Sequence, residues 1–164
     1  MIKSSDIVEL ATLLQYHQWR ITTAESCTGG GVAKLLTDIP GSSSYFDMGF
    51  VTYSEASKAV LLNVSLDTIA NHGVVSTAVA KEMAEGALAK ARADIAIATT
   101  GFAGPDGGTE SAPVGTICFA WVFSNAATVT SQQHFSGDRE QIRERAVAFA
   151  INNLLAILDG FSIE

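Results

Sequence analysis

The sequence predicts an α/β fold, a three-layer α/β/α sandwich with a mixed sheet covered by helices. Three observations carry that expectation. Short β-branched or apolar runs alternate with segments of helical periodicity. Two of those runs end in glycine-rich loops, of the kind that leave the carboxyl ends of strands in open α/β sheets. Two further runs stand back to back near the C-terminus, which predicts at least one antiparallel pairing.

Each element has its own signal. Asp6 to Gln18 carries Ile7, Leu10, Ala11 and Leu14 at helical spacing, with Ser5 or Asp6 expected to cap it. Arg20 to Ala24 is short and β-branched, hence a strand. Three glycines follow Ser26-Cys27-Thr28, and Val32, Leu35 and Leu36 then mark a helix ending before Pro40. Phe46 to Tyr53 reads as a second strand and Glu55 to Leu62 as a short helix. Ser76 to Ala91 is Ala-rich, with Val79, Met83, Ala87 and Lys90 on one stripe. Asp94 to Thr99 is a buried-type strand running into a loop of four glycines and a proline. Gly115 to Phe123 and Ala127 to Phe135 form the strand pair, joined near Ser124-Asn125. Asp138 to Leu158 closes the chain as a long helix, with Asp138 and Gln141 in capping-box positions.

Composition narrows the function classes. The 164 residues fit one domain, and 48% hydrophobic against 16% charged residues can fill a core. Ten Lys and Arg against seventeen Asp and Glu leave a net charge of −7, which argues against nucleic acid or an anionic membrane as partner. No signal peptide is visible in MIKSSDIVEL, and the longest apolar stretch, Thr116 to Phe123, falls far short of the roughly 20 residues that span a bilayer. A cytoplasmic protein is expected. Cys27 and Cys118 make neither a disulfide scaffold nor a thiolate metal site, and His17, His72 and His134 share no ligand spacing. The expectation is therefore no metal and no cofactor. Ala-rich helices that offer packing surfaces suggest a homo-oligomer.

Four segments carry candidate chemistry, each with a plainer reading beside it. In Glu25-Ser26-Cys27-Thr28-Gly29-Gly30-Gly31 a hydroxyl stands at a helix N-terminus, where free amides stabilise an oxyanion or hold a phosphate. The plainer reading is a capped helix after a glycine turn. The loop is neither a Walker A motif nor a G-x-S-x-G elbow. In Tyr53-Ser54-Glu55-Ala56-Ser57-Lys58 a partly buried lysine with lowered pKa would serve a serine nucleophile as base. The alternative is a solvated lysine and a packed strand tyrosine. The loop 99–108 lets main chain approach a ligand closely. Gly137-Asp138-Arg139-Glu140, with Arg143 after it, suits a phosphate or simply forms a solvated helix face. Cys27 reads as a small buried residue.

Together these stretches resemble the CinA C-terminal domain family. AESCTGG at 24–30, PGSSSYF at 40–46, GFVTYS at 49–54, GVVS at 73–76, TGFAGPDGG at 100–108, PVGT at 113–116 and FSGDRxxxR at 135–143 come in the family's order. The resemblance implies one such domain over 1–164, in the form that occurs alone. It implies hydrolysis of the nicotinamide mononucleotide carboxamide to nicotinic acid mononucleotide and ammonia, in pyridine-nucleotide salvage. It also implies Ser26, Tyr53 and Lys58 as catalytic residues, with Ser26 attacking, Lys58 as base and Tyr53 relaying or orienting the proton. Thr28, Gly29, Gly30, Thr100, Gly101, Arg139 and Arg143 would line the nucleotide site, with Gly29 and Gly30 amides on the oxyanion. One position departs from the family: Glu55 stands where Asn is usual. Rival readings are an inactive or regulatory homologue that binds a pyridine mononucleotide, a Ser–Lys amidase or esterase for another small amide, and a small interaction module.

Overall fold

The computed structural model describes residues 2–125 and 127–160. Helix α1 (Ser4–His17) leads into β1 (Ile21–Glu25), α2 (Gly31–Thr37), a single 3-10 turn (Ser42–Ser44) and β2 (Phe50–Val51). Then come α3 (Glu55–Leu62), α4 (Leu66–His72), α5 (Thr77–Ala91), β3 (Ile95–Gly101), β4 (Thr116–Phe123), β5 (Thr128–His134) and α6 (Arg139–Gly160). The strands form one mixed five-stranded sheet in the order β2-β1-β3-β4-β5. β1 pairs in parallel with β2 and β3, while β4 is antiparallel to β3 and β5.

Alternation along the strands builds two unlike faces. Ile21, Ile95, Ile97, Ile117, Phe119, Trp121 and Phe123 share a core with the buried residues of α1, α2 and α6. This face is bulky, and the Trp121 indole donates to the Ala150 carbonyl of α6 at 3.0 Å. The other face carries Ala24, Ala96, Ala98, Cys118 and Ala120, and meets Leu62, Val79, Ala80, Met83, Ala84 and Ala87. Small side chains on both partners let α5 lie close to the sheet. Of the α5 alanines, Ala80, Ala84, Ala87 and Ala91 are buried within the chain, while Ala89 is exposed. Gly86 presses against the adjoining α3, where a Cβ would lie 2.0 Å from the Leu62 carbonyl oxygen.

Element boundaries agree with the sequence reading to within a few residues, with three differences. The cap of α1 is Lys3 rather than Ser5 or Asp6, and Asp6 accepts from the Lys3 amide. The strand expected over Phe46 to Tyr53 contracts to Phe50–Val51, with Phe46 reduced to an isolated bridge to Ile21. There the Thr22 hydroxyl takes the Met48 carbonyl, and Gly49 sits against Thr23, so side chains replace the ladder. Helix α4 has no counterpart in the sequence reading. Its only buried residue is Ile69, and Glu82 from α5 caps it by accepting from the Ser65 amide and Thr68 hydroxyl. The capping box of α6 forms as read, with Asp138 and Gln141 exchanging amide–side-chain bonds of 3.0 and 2.9 Å.

Candidate active site

Ser26 follows β1 directly and opens the glycine turn. Its amide donates to the Thr99 carbonyl of β3 at 3.0 Å, and its carbonyl accepts from Gly29. The turn needs left-handed backbone at Gly29 (φ 60°) and Gly30 (φ 96°), which glycine adopts without a Cβ penalty. Lys58 reaches the same point from α3. Ser54 caps that helix, its hydroxyl accepting from the Ser57 amide, and four residues on Lys58 faces inward.

The lysine is fully buried. Its Nζ lies 2.8 Å from Ser26 Oγ, 2.6 Å from the Thr52 carbonyl oxygen and 3.2 Å from the Tyr53 carbonyl oxygen. Burial pushes its pKa down from 10.5 to about 8, while a charge on Cys27 and the Glu55 carboxylate act in the opposite direction. A free amine has two N–H donors and one lone pair. Two carbonyls take the donors, which leaves the lone pair for the Ser26 hydroxyl. The ammonium donates to all three oxygens, Ser26 Oγ included, and loss of one proton turns a lone pair toward the serine hydroxyl, which makes the amine a base against it.

These residues line a cavity of about 370 Å³, a volume in the range of small-molecule sites. Ser26, Tyr53, Lys58, Thr100, Gly101 and Arg139 all border it. Tyr53 is 62% exposed, and its hydroxyl accepts from Arg139 Nη2 at 3.0 Å. Arg139 also donates to the Gly104 carbonyl at 2.8 Å, so α6, the 99–108 loop and Tyr53 meet at one guanidinium. The Thr100 hydroxyl is turned to the Val74 carbonyl at 2.9 Å. Thr28, Gly29, Gly30 and Arg143 do not line this cavity. The Arg143 guanidinium donates to the Cys27 and Thr28 carbonyls at 3.1 and 3.4 Å, which ties α6 to the back of the turn.

Two readings from sequence change here. The N-terminus of α2 is not free to receive an anion, because Glu25 already accepts from the Val32 and Ala33 amides at 2.8 and 3.0 Å. The Gly29 amide is likewise engaged by the Ser26 carbonyl. Neither the Cys27 amide nor the Gly30 amide donates to another residue among the described residues, and of the two only Cys27 borders the cavity. Glu25, fully buried beside Ser26, is a residue of the site that the sequence reading does not single out. The signal was an acid sitting between a β-branched strand and a glycine turn, where a carboxylate reaches the amides of the next helix. Glu55 is exposed in the first turn of α3 and borders the cavity, with no ion pair among the described residues. Burial raises the Cys27 thiol to about 12. No group of three or more His, Cys, Asp or Glu side chains converges to hold a metal ion among the described residues.

The sequence and the fold both have counterparts among known proteins. The family model for the CinA C-terminal domain matches residues 5–158. A protein named nicotinamide-nucleotide amidohydrolase PncC from Escherichia coli (strain K12) is 53% identical over 134 residues, 82% of this chain and 81% of that one. Its namesake from Enterobacter agglomerans is 49% identical over 148 residues, 90% of each chain. The crystal structure of the competence damage-inducible protein A from Klebsiella pneumoniae superposes with a TM-score of 0.92 at 42% identity, over 96% of this chain and 98% of that one. The order of motifs, the mixed sheet and these matches thus meet in one conclusion: the chain belongs to the CinA C-terminal domain family.

Proposed function

We propose that the chain is an amidohydrolase that cleaves the carboxamide of nicotinamide mononucleotide to nicotinic acid mononucleotide and ammonia. The observation that carries this reading is the buried Lys58 amine, 2.8 Å from Ser26 Oγ with its pKa lowered to about 8. The names of the relatives supply the substrate.

In this reading the Lys58 amine takes the Ser26 proton as Oγ adds to the carboxamide carbon. The oxyanion meets the Cys27 amide, the donor next to the nucleophile. The resulting Lys58 ammonium returns its proton to the departing nitrogen, and ammonia leaves an ester on Ser26. Water, deprotonated by Lys58, then opens that ester to the carboxylate. The cycle consumes one amide and one water and restores both side chains. Tyr53 gives Lys58 its carbonyl and Arg139 its hydroxyl, so it orients both the base and the cation proposed to meet the substrate phosphate. Thr100 and Gly101 form the facing wall.

The test is ammonia release from nicotinamide mononucleotide, its riboside and free nicotinamide. Release from the mononucleotide far above the other two, lost in Ser26→Ala, is expected. Binding of the mononucleotide without release would favour the non-hydrolytic homologue. Release from an unrelated small amide alone would favour the general Ser–Lys amidase.

A further inference from the structure

We propose that Glu25 is the positioning residue that fixes the nucleophile turn, an inference that rests on the reading of Ser26 as nucleophile. Glu25 is fully buried and forms no ion pair among the described residues. A carboxylate taken out of water must be satisfied by hydrogen bonds. Its three donors are the Thr28 hydroxyl at 2.6 Å, the Val32 amide at 2.8 Å and the Ala33 amide at 3.0 Å. The residue before Ser26 therefore grips both the turn after it and the helix after that.

The grip extends to the neighbouring strand. A carboxylate only accepts, so the Thr28 hydroxyl proton points at Glu25. The 2.8 Å contact between the Thr28 and Thr99 hydroxyls must then run from Thr99 as donor. Thr99 also accepts the Ser26 amide through its carbonyl. Glu25, Thr28 and Thr99 close a loop of bonds around Ser26, whose hydroxyl is the side-chain partner of Lys58. Displacing a reacting group by about 1 Å costs on the order of a hundredfold in rate. The plainer role, a helix cap alone, would leave Ser26 reactivity unaffected in the folded protein.

The experiment is the rate of Ser26 labelling by a fluorophosphonate probe, which needs no knowledge of the substrate. It is followed by peptide mass spectrometry and normalised to folded protein by circular dichroism. In folded Glu25→Gln an amide donor would face the Ala33 N–H, and labelling is expected to slow by about tenfold or more. Its pH midpoint should stay at the wild-type position, because Lys58 keeps its surroundings. Labelling of the folded variant within about twofold of wild type would overturn the proposal. Should Glu25→Gln fail to fold, Thr28→Val removes only the hydroxyl link. Slower labelling, restored in Thr28→Ser, is then expected, and an unchanged rate in Thr28→Val would overturn it. An unlabelled Ser26 in wild type would overturn the nucleophile reading and this inference with it. Slowed labelling in a protein that releases no ammonia from nicotinamide mononucleotide would support the positioning role and reject the substrate.

Discussion

Two adjacent residues, Ser26 and Cys27, offer the site an alcohol and a thiol, and protonation decides between them. Sulfur is the stronger nucleophile only as thiolate, and burial holds the Cys27 thiol at about 12, so it stays protonated at neutral pH. Ser26 has a lysine amine in contact instead. Cys27→Ala should accordingly keep most of the ammonia-releasing activity, and a loss comparable to that of Ser26→Ala would reassign the nucleophile. Glu55 acts more subtly. Its carboxylate is exposed yet close enough to hold the Lys58 pKa up, so it favours the protonated and inactive form of the base. Glu55→Asn should lower that pKa and displace the rising limb of kcat/KM toward acid, with faster turnover at neutral pH. A profile that stays in place would show that solvent screens the carboxylate from the amine. Lys58 and Tyr53 also mark where residue types mislead. Ordinary preference puts the lysine in solvent and the tyrosine in the core, whereas here the lysine is buried and the tyrosine 62% exposed. The proposed role as base accounts for a burial that ordinary preference opposes.

At the level of elements, the site is assembled from strand ends and helix starts that the periodicity of the chain marks well. β1, β3, α3 and α6 are legible because each has an apolar face and a polar terminus. α4 is not, since Leu66 is exposed, Ile69 alone is buried, and the cap comes from Glu82 on another helix. β2 is overread for a related reason: its alternation continues past the point where Met48 and Gly49 leave the ladder for side-chain contacts with β1. Neither tertiary cap nor side-chain substitution has a local sequence signature. The first turn of α6 is the element whose role is most exposed to test. Arg139 holds Tyr53 and Gly104, and a charge-assisted bond to a phosphate contributes about 1.5–3 kcal/mol. Arg139→Ala should raise KM for nicotinamide mononucleotide about tenfold or more and change binding of the riboside much less. Equal losses for both ligands would assign Arg139 a purely structural part.

For the whole molecule, the buried lysine links catalysis to stability. Its pKa is about 8 in the folded protein and 10.5 when solvated, so between those values the unfolded chain binds a proton that the native one has released. The contribution of Lys58 to the unfolding free energy then rises with pH across that window and flattens above it, while the raised Cys27 and Cys118 thiols pull stability down above pH 9. Chemical denaturation of Lys58→Met, followed beside wild type, should show the difference in unfolding free energy shifting in favour of wild type as pH rises through that window. A parallel pH dependence in both would mean that Lys58 is not titrating in the native state. The same lysine offers the most direct test of the catalytic account. kcat/KM for ammonia release from nicotinamide mononucleotide, measured from neutral into alkaline pH, should climb in wild type through a midpoint near pH 8. Lys58→Met should lie lower by about a thousandfold and lack that limb. A wild-type profile that is flat through this range, or a Lys58→Met variant that retains the wild-type rate, would contradict the assignment of the amine as the base.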